Sequence, residues 1–427
     1  MNEDLERIVG EVPGPQTRAL RAPLLAHESR NVTYVGEDFP VFWKSASGAT
    51  VIDVDDNRYI DLTAAFGVAN VGHSNPAVVS AVAEQAAALM HGMGDVHPTS
   101  VRTQLLERLS RVLPAGLDKT FLATTGSEAV EAALKTAVLA TGRRRFVCYD
   151  GAYHGLSLGA LAVSGIPKFV EPFAGIVPEI ALRLPYPDAS QTNAASALAH
   201  VRAALDPHDD LAAIVIEPIQ GRGGCIVPPN GYLAALRAYC DERDIVLIFD
   251  EIYTGFGRTG NWFACEHDHT IPDIICIGKA MGGGFPISAA VARPAVMDAW
   301  PASTGEALHT STYLGNPMGC AAALATIGEL ERLALPAQAR ALGELIEKRL
   351  GALLDHPAVV AMRGRGAMWG LQMRSAADAD RVVKAALARG VILLQAGVQG
   401  DVLSITPPLV ISPLQLHRAL ELIKEVL

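Results

Sequence analysis

Two ionisable side chains stand where solvent is scarce. Lys279 follows the apolar run Ile274-Ile275-Cys276-Ile277 and Gly278, and precedes Met281-Gly282-Gly283-Gly284. Asp250 follows Ile245-Val246-Leu247-Ile248-Phe249. Desolvation and a nearby cation both favour the neutral form of a lysine, leaving a nucleophilic amine. A carboxylate at the rim of a buried strand needs a cationic partner, because an unpaired charge there is costly. For Asp250 that partner is either an arginine such as Arg258, in a structural ion pair, or the protonated ring nitrogen of a bound heterocycle. A third feature is Thr124-Thr125-Gly126-Ser127-Glu128. Thr125 and Glu128 have capping-box spacing, and the alanine-rich stretch from Ala129 to Ala140 reads as the helix they start. Such a glycine turn aims backbone N–H groups and the positive end of a helix dipole at an anion, although an ordinary capped helix carries the same residues. Lys279 alone reads as structural; combined with Asp250 and an anion site, it reads as chemical.

The elements around these residues point to an α/β fold. Phe121-Leu122-Ala123, Phe146-Val147-Cys148-Tyr149, Ala213-Ile214-Val215-Ile216, Ile245–Phe249 and Ile274–Ile277 are continuous apolar runs, which implies burial on both faces of a mainly parallel sheet flanked by helices. One predicted helix runs from Gly231 to Arg243, after Pro228-Pro229-Asn230. The runs lead into Gly126-Ser127, Tyr153-His154, Glu217, Asp250-Glu251 and Lys279 in turn. Ligands in open α/β sheets bind beyond the carboxyl ends of the strands, so five such ends define one crevice.

Before this region, residues 1–38 read as an arm that Pro13, Gly14, Pro15 and Pro23 keep free of long elements. Short β runs at Val41–Trp43, Thr50–Val54 and Arg58–Ile60 suggest a meander. After about residue 330 a long helix (336–354), strands near 358–373, a helix near 376–389, strands at 391–394 and 402–405 and a terminal helix from Pro413 form a small α+β unit, expected to pack on the meander. The resulting division is 1–62, 63–330 as a large cofactor-binding domain, and 331–427.

Composition narrows the function. The 427 residues are half apolar and 19% charged, with a net charge of −10, which gives no electrostatic support for nucleic acid or an anionic membrane. Six cysteines without C-x-x-C pairs speak against disulfides or zinc and for a reducing, cytoplasmic setting. The acidic start Met1-Asn2-Glu3-Asp4-Leu5 does not resemble a leader peptide, and no apolar run reaches the roughly 18 residues of a membrane span. A G-x-x-x-x-G-K-[ST] loop is absent, which disfavours nucleoside triphosphates.

Seven segments in order carry a resemblance: Thr125–Ala129, Tyr153-His154-Gly155, Glu217-Pro218-Ile219-Gln220-Gly221, Asp250-Glu251-Ile252, Gly255-Phe256-Gly257-Arg258-Thr259-Gly260, Gly278-Lys279 and Thr312-Tyr313-Leu314-Gly315-Asn316-Pro317. Together they resemble the class III aminotransferases (omega and ornithine/4-aminobutyrate type), of fold type I among the pyridoxal 5′-phosphate enzymes, from about Phe39 to the C-terminus. The resemblance implies a seven-stranded-type sheet and a small domain built from both termini. It implies that Lys279 is the Schiff-base lysine and proton carrier, and that Asp250 keeps the pyridine nitrogen protonated. Gly126 and Ser127 hold the phosphate, Tyr153 and Ile252 cover the two ring faces, and His154 lies in the cofactor site. Thr312 reaches the phosphate in a neighbouring subunit, giving a homodimer with shared active sites, a tetramer being left open. Glu217 and Arg258 support the site, and Cys225 packs.

Three departures concern substrate. Arg222 stands where many family members have glutamate. Ser404, in Val402-Leu403-Ser404, stands where many have the arginine that binds a substrate α-carboxylate. Tyr253 replaces a glutamine near the cofactor's phenolic oxygen, and its hydroxyl retains a donor. Phe66, Arg222 and Ser404 are the candidate substrate contacts; Arg222 is either a solvated rim residue or a carboxylate clamp from a new direction. The implied reaction moves an amino group from an amine or amino acid to a 2-oxo acid. A racemase or epimerase on the same fold is the alternative, and a non-catalytic interaction module is disfavoured because Lys279 and Asp250 are intact.

Overall fold

The computed structural model describes residues 5–427. Residues 1–4, on which most of the leader-peptide reading rests, lie outside the described residues.

The N-terminal meander comprises β1 (Trp43–Ser47), β2 (Thr50–Asp53) and β3 (Arg58–Asp61). Seven strands form the large sheet: β4 (Lys119–Ala123), β5 (Arg145–Tyr149), β6 (Ala181–Leu184), β7 (Leu211–Ile216), β8 (Val246–Asp250), β9 (Ile274–Ile277) and β10 (Ser288–Ala292). Their spatial order is β4-β10-β9-β8-β7-β5-β6. Every pairing is parallel except those of β10, which runs antiparallel to both β4 and β9. The five apolar runs are strands of this sheet. Residues alternate between two cores along each central strand: Ile214, Ile216, Leu247, Phe249, Ile275 and Ile277 enter one, while Ala213, Val215, Val246, Ile248, Ile274 and Cys276 enter the other. Continuous hydrophobicity therefore records two buried faces.

Two strands carry weaker sequence signals. Strand β10 is Ser-Ala-Ala-Val-Ala, poor in β-branched side chains, and is held by its two antiparallel neighbours. Strand β6 is an edge strand with only Leu184 buried.

Both chain ends meet in the smaller part. Strand β11 (Val359–Arg365), β12 (Met368–Met373), β14 (Leu394–Ala396) and β15 (Val402–Ile405) make an antiparallel sheet in the order β11-β12-β15-β14. Strand β13 (Val391–Ile392) instead pairs in parallel with β3 of the meander, Val391 opposite Ile60. The expected helices appear at Leu335–Gly351, Ala376–Ala388 and Pro413–Val426.

The arm corrects one expectation. A helix spans Pro15–His27 despite Pro23. Proline at the first helical position has a fixed φ that suits the start. Asp55 then caps the helix from the meander, its two carboxylate oxygens accepting the N–H groups of Gln16 at 2.7 Å and Thr17 at 2.9 Å. A cap supplied 38 residues away in sequence leaves no local pattern to read.

Candidate active site

The carboxyl ends of β4, β5, β7, β8 and β9 open into one cavity of about 1320 Å³. It is lined by Gly126, Ser127, Tyr153, His154, Glu217, Arg222, Asp250, Ile252, Tyr253, Lys279, Phe66 and Ser404, among others. Of the candidate site residues, only Thr312 stands apart: it is exposed on a turn and does not line the cavity.

The helix Gly126–Thr141 starts at the cavity wall. Thr125 accepts the Glu128 N–H, while the Glu128 side chain accepts those of Thr124 at 2.8 Å and Thr125 at 2.9 Å, completing the expected capping box. The N–H groups of Gly126 and Ser127 find no acceptor among the described residues. A Cβ on Gly126 would lie 2.8 Å from Ile252 Cδ1, and one on Gly155 would collide with Ser127. Glycine thus keeps open a cradle with free donors at a positive helix end, which fits a phosphate. Ser127 is oriented by Ser157, whose Oγ lies 2.8 Å away and in turn donates to Glu131 at 2.7 Å.

Asp250 closes strand β8, with its side chain almost wholly buried. Its partner within the chain is not Arg258. Arg258 points elsewhere, donating to the carbonyls of Ala367 at 3.0 Å and Pro407 at 2.6 Å and to the side-chain oxygen of Asn70. That environment is buried and lacks a carboxylate partner, so desolvation lowers the guanidinium pKa to about 10. Asp250 Oδ2 instead lies 2.7 Å from Nδ1 of His154, and Oδ1 accepts the Ile252 N–H at 3.0 Å. Burial works against a charged His154, but its bond to Asp250 and the charges of Asp250 and Glu217 together outweigh burial and raise its pKa. His154 Nε2 is buried without a partner among the described residues.

Lys279 opens a short 3-10 turn after β9 with φ of 44°, a left-handed conformation unusual for a side-chain-bearing residue. Its amine sits 4.7 Å from the centre of the Tyr253 ring. Burial lowers its pKa, against the opposing pull of Asp250 and Glu217. Tyr253 donates to Thr406 at 3.0 Å and fits only because Gly67 and Gly221 leave room for its ring.

The bonds of Glu217 have the supporting character expected of it. It accepts the N–H of Gly221 at 3.0 Å and of Tyr153 at 3.2 Å, joining two loops of the wall. Burial raises its carboxyl to about 7, with His154 opposing and Asp250 reinforcing the shift. Arg222, two residues beyond the glutamine of this motif, donates to the Gln395 carbonyl at 2.9 Å. It forms no ion pair among the described residues, and burial lowers its pKa. Arg222 is half-buried, lines the cavity and has no carboxylate partner among the described residues.

Further lining residues carry no readable signal in the sequence. Tyr34, Phe39, Phe169, Val383 and Leu394 come from the arm, a short helix and the small domain. Phe66 is among the expected contacts, and it reaches the cavity from Ala64-Ala65-Phe66, three consecutive left-handed residues with φ of 46°, 48° and 63°. Strain of this kind collects at functional sites. Among the described residues no cluster could hold a metal ion, and no helix is long and apolar enough to cross a membrane.

Residues 33–427 match the family described as Aminotransferase class-III. The chain is 38% identical to the acetylornithine aminotransferase of Methanopyrus kandleri, over 90% of this chain and 93% of that one. It is also 38% identical to the 4-aminobutyrate aminotransferase of Mycobacterium leprae, over 100% and 98%. Among solved structures, the ornithine aminotransferase of Toxoplasma gondii, described with pyridoxal phosphate at its active site, superposes with a TM-score of 0.85. It shares 29% identity and covers 96% of this chain and 94% of that one.

Proposed function

The chain belongs to the class III aminotransferases, a pyridoxal 5′-phosphate-dependent family, and we propose that the cavity at the strand ends is where it transfers an amino group from an amine or amino acid to a 2-oxo acid. The observation that carries this placement is the convergence of Lys279, Asp250 and the open N–H cradle of Gly126 and Ser127 in one cavity. When bound, the cofactor supplies an electron sink for negative charge developing at the substrate carbon.

The protein's own groups do the rest. Gly126 and Ser127 hold the phosphate with backbone donors and the helix dipole. Asp250, fixed by His154 and by the Ile252 N–H, presents a carboxylate to the ring nitrogen. Ile252 and Tyr153 bound the ring from opposite sides, and Tyr253, its hydroxyl donating to Thr406, presents its ring beside Lys279. Lys279, with its pKa lowered by burial, attaches the cofactor and then carries the proton at Nζ. Arg222 binds the substrate carboxylate beside Ser404 and Phe66. Two relatives of equal identity are named for different donors, acetylornithine and 4-aminobutyrate, so identity does not choose the donor.

Thr312 serves a second subunit on this reading. It is exposed, and its neighbours Leu308, Tyr313, Met90 and Met93 are exposed apolar residues that a homodimer would cover. All six cysteines are free and buried, which supports a cytoplasmic setting. The racemase alternative draws no support from the relatives, which are aminotransferases. The test is a half-reaction with donor and no 2-oxo acid. The expected result is one equivalent of carbonyl product per active site, with the donor nitrogen retained by the enzyme and released only when oxo acid is added. Loss of the donor's optical activity without carbonyl product would indicate the isomerase instead.

A further inference from the structure

We infer that the 2-oxo acid accepted here is a monocarboxylic acid with an apolar tail, and that dicarboxylic oxo acids are poor substrates. The inference rests on the amino-transfer reading of the cavity and deepens it. In each turnover the amino group and an electron pair leave the donor, which departs as a carbonyl compound. They pass to the oxo acid, which departs as an amino acid, so no outside oxidant is involved.

The cations of the cavity limit how many carboxylates it can hold. Lys279 is committed to the chemistry. Among the described residues Arg222 is the one guanidinium of the lining, and its one side-chain bond, to the Gln395 carbonyl, leaves further donors for one carboxylate. The position where many family members carry a second cation is Ser404, a buried neutral hydroxyl on β15. Lys168 also lines the cavity but is exposed at its rim. The remaining lining charge near the mouth is negative: Asp380, which pairs with Lys384 at 3.0 Å.

The outer wall is apolar. Tyr34, Phe39, Phe66, Phe169, Val383 and Leu394 line it. A distal carboxylate carried there would lose water and meet no committed cation, which is unfavourable. An alkyl tail of the same length gains by leaving water. Two tails of one length therefore bind with free energies of opposite sign at the same wall.

The experiment uses the cofactor-loaded enzyme, one donor that turns over, and four acceptors: pyruvate, 2-oxobutyrate, 2-oxohexanoate and 2-oxoglutarate. The 2-oxohexanoate molecule replaces the distal carboxylate of 2-oxoglutarate by an ethyl group. Expected is a rise in kcat/KM of about fourfold per added methylene along the monocarboxylic series. The value for 2-oxoglutarate should fall at least about tenfold below that for 2-oxohexanoate. Arg222→Ala should lower kcat/KM for every oxo acid while sparing the half-reaction with a simple amine. Ser404→Arg should raise 2-oxoglutarate relative to 2-oxohexanoate, and Lys168→Met should leave their ratio unchanged. A 2-oxoglutarate value equal to or above that of 2-oxohexanoate overturns the inference while leaving the amino-transfer reading intact. So does a selective loss of 2-oxoglutarate in Lys168→Met, which would make that lysine its clamp. Failure of every donor to give carbonyl product in the half-reaction, before any acceptor is compared, would instead refute the amino-transfer reading itself.

Discussion

Glu217→Gln separates the cost of a buried charge from the value of the bonds it makes. Glu217 is almost wholly buried, and burial holds its carboxyl at about 7 in place of the ordinary 4.5. The folded protein therefore binds a proton that the unfolded chain releases between those values, so folding stability falls as pH rises from about 4.5 through 7. Below that window the group carries no penalty. Above it, at pH 8, the ionised carboxylate costs the fold about 3 kcal/mol.

The glutamine amide removes this pH-dependent cost and introduces a fixed one. Its oxygen can accept only one of the two N–H groups of Gly221 and Tyr153, and the N–H left over costs about 1–3 kcal/mol. The fixed cost cancels in a double difference. Apparent unfolding free energies from urea titration of both proteins at pH 5 and pH 8 should show the wild type losing about 2.5 kcal/mol more than the variant across that interval, part of the cost being already present at pH 5. His154 and Lys279 face the same carboxylate and add pH dependence of their own, present in both proteins and altered in the variant only through loss of the Glu217 charge. Parallel pH profiles for the two proteins would refute the reasoning and show that Glu217 ionises normally.

Two further outcomes follow from the site. Lys279→Ala should lose the visible absorption of lysine-bound cofactor and at least about 100-fold in kcat, and survival of that band in the spectrum would move the attachment elsewhere. Thr312→Ala should weaken cofactor retention in gel filtration while leaving the fold intact, and sedimentation showing a fully active monomer would contradict a shared site.

The inner half of the site was legible in the sequence and the outer half was not, for a physical reason. Lys279, Asp250, Glu217, Tyr153 and Gly126 each follow a strand whose two buried faces write an unbroken apolar run. A parallel sheet then brings those ends together by topology alone. The cap of Pro15–His27 by Asp55 and the pairing of β13 with β3 leave no comparable trace, because their partners lie far apart in the chain. The choice of partner for Asp250 was ambiguous for a related reason. A buried carboxylate signals that a cation is required without saying which one. His154 answers it here because the loop after β5 delivers an imidazole to the end of β8, while Arg258 is drawn to three neutral acceptors.

The same distinction bears on how specificity can change in such a molecule. The groups assigned to the cofactor sit on strand ends or in the first turns after them, where a displacement must move the core. Tyr34, Phe39, Phe66, Phe169 and Leu394 sit on an arm, a strained turn, a short helix and a peripheral strand. Replacing one of them alters the shape of the outer wall without disturbing Asp250 or Lys279. Arg222 bridges the two regimes: its backbone belongs to the turn that Glu217 ties down, and its guanidinium is held by the small domain through Gln395. On the proposed reading, a single arginine anchored to both parts fixes where a carboxylate docks, while the loops beyond it decide what that carboxylate is attached to.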